Sequence, residues 1–126
     1  MKNKNTLKCA NLDEIYHQDC LEFLKNQKAN SINLIVTSPP YADQRKKTYG
    51  GIPVKDYVDW FLPISLELKR VLKPTGSFVL NIKEKAVDGE RATYVLELIL
   101  EMRKQGWLWV EEYAWHKKNS FPGKWP

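Results

Sequence analysis

Five consecutive residues, Thr37-Ser38-Pro39-Pro40-Tyr41, bring hydroxyls, a rigid turn and a flat ring into one short span. Prolines lack an N–H and hold φ fixed, so the carbonyls of Ser38 and Pro39 are aimed rather than left to rotate. Tyr41 adds an aromatic face beside those acceptors. A planar ring bearing an exocyclic amine suits such a setting: it stacks on Tyr41 while its N–H groups donate to Ser38 and to the Pro39 carbonyl. Acceptors that hold the amine hydrogens favour the nitrogen lone pair for attack on an electrophilic methyl group. The plainer alternative is a Pro-Pro strand terminator followed by a surface tyrosine.

The elements around this span give it a place. Residues 32–37 (INLIVT) are a short β-branched run with the character of a strand buried on both faces. Upstream, 19–28 has Leu21 and Leu24 at helical spacing with Asp19 as its cap. Downstream, 41–54 is a polar loop, and Asp56 caps a helix carrying Tyr57, Val58, Phe61, Leu68 and Leu72 on its buried stripe. Pro63 should kink or divide that helix. Lys73-Pro74-Thr75-Gly76 is a stop and turn, SFVLNI (77–82) a second buried strand, and 91–104 an amphipathic helix ended by Gly106. Residues 107–115 (WLWVEEYAW) are expected to form a third strand. Core packing accounts better than base stacking for its Trp107, Trp109, Tyr113 and Trp115, Trp115 near the rim being the exception.

The order α-β-α-β-α-β predicts an α/β fold with a parallel sheet. Ligands then bind at the carboxyl ends of the strands, where Thr37-Ser38, Asn81 with Lys83, and His116 with Lys117 fall. No internal repeat or linker interrupts the chain.

Composition narrows the classes further. Five Trp, six Tyr and four Phe in 126 residues exclude a disordered or low-complexity chain. No apolar run reaches membrane-helix length, and the basic start lacks an apolar core, so a cytoplasmic location is expected. Cys9 and Cys20 suit reduced thiols, and with His17 and His116 they have no metal-ligand spacing, so no metal is expected. The net charge of +5 lies at the ends (Lys2, Lys4, Lys8; Lys117, Lys118, Lys124) and in Arg45-Lys46-Lys47, around a nearly neutral body. That distribution suits a nucleic-acid partner, or simply solubility. Arg45, Lys46 and Lys47 would hold phosphates and Gln44 a base edge, unless the loop is merely solvated.

T-S-P-P-Y, with A-D-Q-R-K-K-T-Y-G-G and D-Y-V-D-W-F after it, resembles the β-class amino-methyltransferases of bacterial restriction–modification systems. H-Q-D-C-L-E-F-L, L-K-P-T-G-S-F-V-L-N-I and W-H-K-K-N-S-F-P-G-K-W-P extend the likeness from about residue 15 to the end. The resemblance implies a Rossmann-like methyltransferase fold, S-adenosylmethionine as cofactor, and methyl transfer to N4 of cytosine or N6 of adenine in a base flipped from duplex DNA. By position it assigns Ser38, Pro39, Pro40 and Tyr41 to catalysis and Asp19 and Thr37 to the cofactor. Gln44, Arg45, Lys46, Lys47, Lys117 and Lys118 go to DNA. Serine before Pro-Pro-Tyr is more similar to the cytosine-N4 subgroup than to the adenine-N6 one.

The family's glycine-rich cofactor loop has no counterpart, since glycines 50, 51, 76, 89, 106 and 123 include no G-x-G pair. The expectation is therefore an incomplete fold: a basic segment 1–14, a catalytic half 15–116, and the start of a target-recognition region in 117–126. Such a chain acts with a missing C-terminal half, self-associates through an unpaired edge of strand 32–37, or is an inert fragment with weak DNA binding. The DNA sequence recognised is not legible.

Overall fold

The computed structural model describes residues 7–44 and 51–118. Its elements are α1 (Cys20–Lys25), β1 (Ile32–Thr37), a 3₁₀ turn (Val54–Asp56), α2 (Tyr57–Val71), β2 (Leu72–Leu80), β3 (Ala86–Val87), β4 (Glu90–Arg91) and α3 (Tyr94–Lys104). β1 and β2 form a parallel pair, and β3 and β4 a small antiparallel one. This is the expected α/β class with a parallel sheet, though only two strands of that sheet are present among the described residues.

The ladder sets which face is buried. Ile35 stands beside Phe78 and Thr37 beside Leu80, while Leu34 pairs with Ser77 and Val36 with Val79. Alternation sends Ile35, Phe78 and Leu80 toward the helices, where they pack on a core of Tyr57, Phe61, Leu68, Val71, Tyr94 and Leu98. The other face is open: Leu34, Val36 and Val79 are 58%, 66% and 49% exposed. The expectation that β1 is buried on both faces is thus corrected. Its apolar run is sandwiched only where helices cover both sides, and here one side is bare.

Between Ile32↔Leu72 and Leu34↔Ser77 the ladder advances two residues on β1 and five on β2. The segment Lys73-Pro74-Thr75-Gly76, expected as a turn before the strand, is instead a bulge inside it, so β2 begins at Leu72 and ends at Leu80. The bulge brings backbone very close. A Cβ on Gly76 would lie 2.8 Å from the Asn33 carbonyl oxygen and 2.8 Å from Leu72 Cδ1.

The helices carry further corrections. α1 ends at Lys25 rather than 28, because the Arg70 guanidinium takes up carbonyls at and just past its end: Nη2 donates to Leu24 (2.7 Å) and Nη1 to Gln27 (2.9 Å). Asp19 caps its start as expected, Oδ1 accepting from Leu21 N and Glu22 N at 3.0 and 3.1 Å. Asp56 sits at the head of α2 but makes no side-chain cap, since the 3₁₀ turn already winds into the helix. α2 runs unbroken through Pro63, which is exposed; the carbonyl it strands is that of exposed Asp59, within reach of water. α3 begins at Tyr94 rather than 91, because Asp88 and Gly89, both at positive φ, close a tight hairpin between β3 and β4.

The third strand is absent. Residues 107–117 carry no regular structure, because among the described residues no strand offers them a ladder, and alternation alone cannot hold an extended segment. Trp107 does pack as expected, ring to ring with Phe78 at 5.0 Å, with Nε1 donating to the buried Ser65 hydroxyl at 2.8 Å. Trp109, Tyr113 and Trp115 are exposed rather than in the core. Among the described residues no helix is long and apolar enough to cross a membrane.

Gly76→Ala should lower stability by about 1–3 kcal/mol in urea denaturation, since the Asn33 carbonyl is backbone and gives little. Thr75→Ala, one residue away and exposed, should leave the midpoint unchanged.

Candidate active site

The carboxyl ends of β1 and β2 lie side by side, and the Asn81 N–H donates to the Thr37 carbonyl at 2.9 Å, just past the ladder. The first two polar clusters expected on one rim therefore meet there. The third does not, because His116 and Lys117 end no strand.

Within the motif, Ser38 Oγ and Tyr41 Oη are 3.2 Å apart, and either can donate to the other. Ser38 and Pro40 are exposed, while Pro39 and Tyr41 are half-buried. The Pro40 carbonyl is taken by the Tyr57 hydroxyl at 2.7 Å. The Ser38 and Pro39 carbonyls have no donor among the described residues, which leaves them available to an incoming amine. Past Tyr41 the chain turns tightly: Gln44 N donates to the Tyr41 carbonyl (3.1 Å), Asp43 N to that of Ile52 (2.8 Å), and Ala42 is buried.

Two tyrosines that sequence reading placed only in the core, or not at all, stand directly behind this turn. Tyr57 is wholly buried, and its ring meets that of Tyr94 edge-on at 4.9 Å. The Tyr94 hydroxyl donates to the Lys83 carbonyl, on the loop after β2. Burial pushes the Tyr57 hydroxyl well above the usual phenol range, with Tyr94 and Tyr41 nearby adding to it. Burial likewise raises Tyr94, partly offset by a backbone hydrogen bond at Ala42. Both hydroxyls therefore stay protonated donors. The 17- and 11-residue separations from their acceptors hide these pairs from any local pattern.

The remaining predicted site residues are spread out. Asp19 is exposed and uses Oδ1 to cap α1. Gln44 is exposed at the rim, whereas Arg45, Lys46 and Lys47 lie outside the described residues. Lys117 and Lys118 are exposed, with Lys117 Nζ 5.2 Å above the Trp115 ring; no hydrogen bond or ion pair joins them to the rim among the described residues.

The chain matches a family described as DNA methylase over residues 32–124. It is 36% identical over 111 residues to the type II methyltransferase M.PvuII of Proteus hauseri, a match covering 86% of this chain and 33% of that protein. The type II methyltransferase M.SfiI of Streptomyces fimbriatus is 34% identical over 131 residues, covering 86% and 31%. Among solved structures, PvuII DNA methyltransferase (cytosine-N4-specific) superimposes with a TM-score of 0.60 at 40% identity, covering 71% of this chain and 32% of that one. The chain spans about a third of the length of these curated relatives.

A phenol whose folded pKa is raised stabilises the fold fully below its unfolded value, near pH 10, and loses that contribution as pH rises beyond it. Chemical denaturation between pH 8 and about 11 should show stability falling above pH 10. Tyr57→Phe should flatten that fall.

Proposed function

This chain belongs to the DNA methylase family, and from that premise we propose that it is the base-holding half of a DNA methyltransferase that modifies N4 of cytosine in duplex DNA. The observation that carries the reading is the Ser38–Tyr41 hydroxyl contact at 3.2 Å, set on a rim held by the β1–β2 ladder. Ser38 at the head of Pro-Pro-Tyr, and likeness to an enzyme described as cytosine-N4-specific, support cytosine over adenine.

The family implies S-adenosylmethionine, which supplies an electrophilic methyl group on a sulfonium sulfur. The described residues fit the acceptor side of that reaction better than the donor side. Asp19, assigned with Thr37 to the cofactor, already has one carboxylate oxygen engaged in capping, and the sequence holds no G-x-G pair.

The chain's own work is done on the base. Tyr41 stacks on the flipped ring, and Ser38 Oγ and the Pro39 carbonyl accept the two amine hydrogens. As the nitrogen commits its lone pair to a new N–C bond, the methyl carbon's bond to the sulfonium sulfur would break and leave a neutral thioether. The nitrogen becomes cationic, and these neutral acceptors stabilise the charge until one N–H proton passes to water. Pro39 and Pro40 keep the acceptors aimed. In this reading Gln44, Arg45, Lys46, Lys47, Lys117 and Lys118 contact DNA, residues 15–116 form the catalytic half, and 117–126 lead into target recognition. The bare face of the sheet supports a covering partner, either further methyltransferase chain or a second copy. Work on DNA places the protein in the bacterial cytoplasm.

The test is transfer of labelled methyl groups from S-adenosylmethionine to mixed-sequence DNA, followed by nucleoside analysis. N4-methylcytosine is expected, N6-methyladenine would overturn the choice of base, and no label from folded protein would favour an inert fragment with weak DNA binding. Ser38→Ala should lower kcat by about tenfold or more with DNA affinity nearly unchanged. Tyr41→Ala should weaken binding of DNA carrying an extruded base by about 1–3 kcal/mol.

A further inference from the structure

Tyr57 is the first residue of α2 and Tyr94 the first of α3. Each sends its hydroxyl to a backbone carbonyl of a different rim loop, Pro40 after β1 and Lys83 after β2. Their rings touch edge to face at 4.9 Å, so the two loops are joined through one aromatic pair. A second tie crosses between the same loops, Lys85 Nζ to Asp43 Oδ2 at 3.2 Å.

Phenylalanine would fill the same volume in both places. A phenol buried to 0% and 2% exposure costs free energy unless its oxygen has a partner, so the hydroxyls matter for what they hold. The carbonyl of Pro40 belongs to the same planar peptide unit as the N–H of Tyr41. Holding that oxygen stops the unit from rotating, which fixes the backbone that follows the Pro39 carbonyl and the start of the Tyr41 side chain.

We propose that Tyr57 and Tyr94 are positioning residues for the methyl-accepting site: a paired clamp in which Tyr57 orients the Pro40–Tyr41 peptide and Tyr94 holds the 81–85 loop against it. The catalytic consequence rests on the methyltransferase reading above; the clamp itself does not.

Hydrogen exchange by mass spectrometry on the whole chain separates the two. In Tyr57→Phe, the amides of residues 41–44 should exchange about tenfold faster, and in Tyr94→Phe those of 83–86, with α1 and the last turns of α2 unchanged. Unchanged exchange at both loops would overturn the clamp. Uniform acceleration along the chain would overturn it too, by showing that the hydroxyls serve only the core. In methylation assays Tyr57→Phe should lower kcat about tenfold while KM for S-adenosylmethionine holds, and equal losses in both would reduce Tyr57 to a fold residue. If the unsubstituted protein transfers no methyl group, the functional reading fails while the exchange pattern still decides the clamp.

Discussion

The parallel pairing of β1 with β2 is the constraint on which the rest of this structure depends. Because Thr37 stands opposite Leu80, both strands stop at the same level and their following loops begin side by side. The Asn81-to-Thr37 hydrogen bond then extends the ladder by one step into the loops. A slip of β1 by one residue would turn Ile35 outward while Phe78 stayed on the helix side, and would move Ser38 off the rim. The bulge at 73–76 absorbs three extra residues of β2 without disturbing that register, at the cost of requiring glycine at 76.

Helix starts do the second half of the work. α2 and α3 pack on one another and on the inner face of the sheet, so their first residues arrive behind the rim from the same side. Tyrosine at those positions serves both as core and as donor: the ring fills space among Phe61, Leu98 and their neighbours, and the oxygen meets a loop carbonyl. The motif is thereby backed by buried, protonated hydroxyls, with Ser38 exposed and the Pro39 carbonyl without a donor among the described residues.

A sheet of two strands leaves something uncovered. Leu34, Val36 and Val79 form a bare apolar strip, and among the described residues the aromatic segment after Trp107 has no ladder to join. Both facts fit a chain that spans about a third of its curated relatives. Local anchoring ends where Trp107 docks on Phe78 and Ser65, and Trp109, Tyr113 and Trp115 beyond it are exposed.

Much of this was legible in the residues alone. The apolar β-branched run 32–37, the Asp19 cap and the helical stripe from Tyr57 to Leu68 follow from local chemistry, while Leu72, expected on that stripe, opens β2 instead. T-S-P-P-Y was legible for the same reason, since two prolines stiffen the backbone whatever surrounds them. Contacts made across the fold decided the remainder. Whether WLWVEEYAW becomes a strand depends on a neighbour to pair with, and whether INLIVT is covered on one face or two depends on what packs there. That Arg70 ends α1, and that Tyr57 and Tyr94 grip carbonyls in loops before them, depends on groups brought together only when the sheet and helices have packed. Hydrogen bonds and burial at those distances leave no periodic trace in the chain, so only the tertiary structure could determine them.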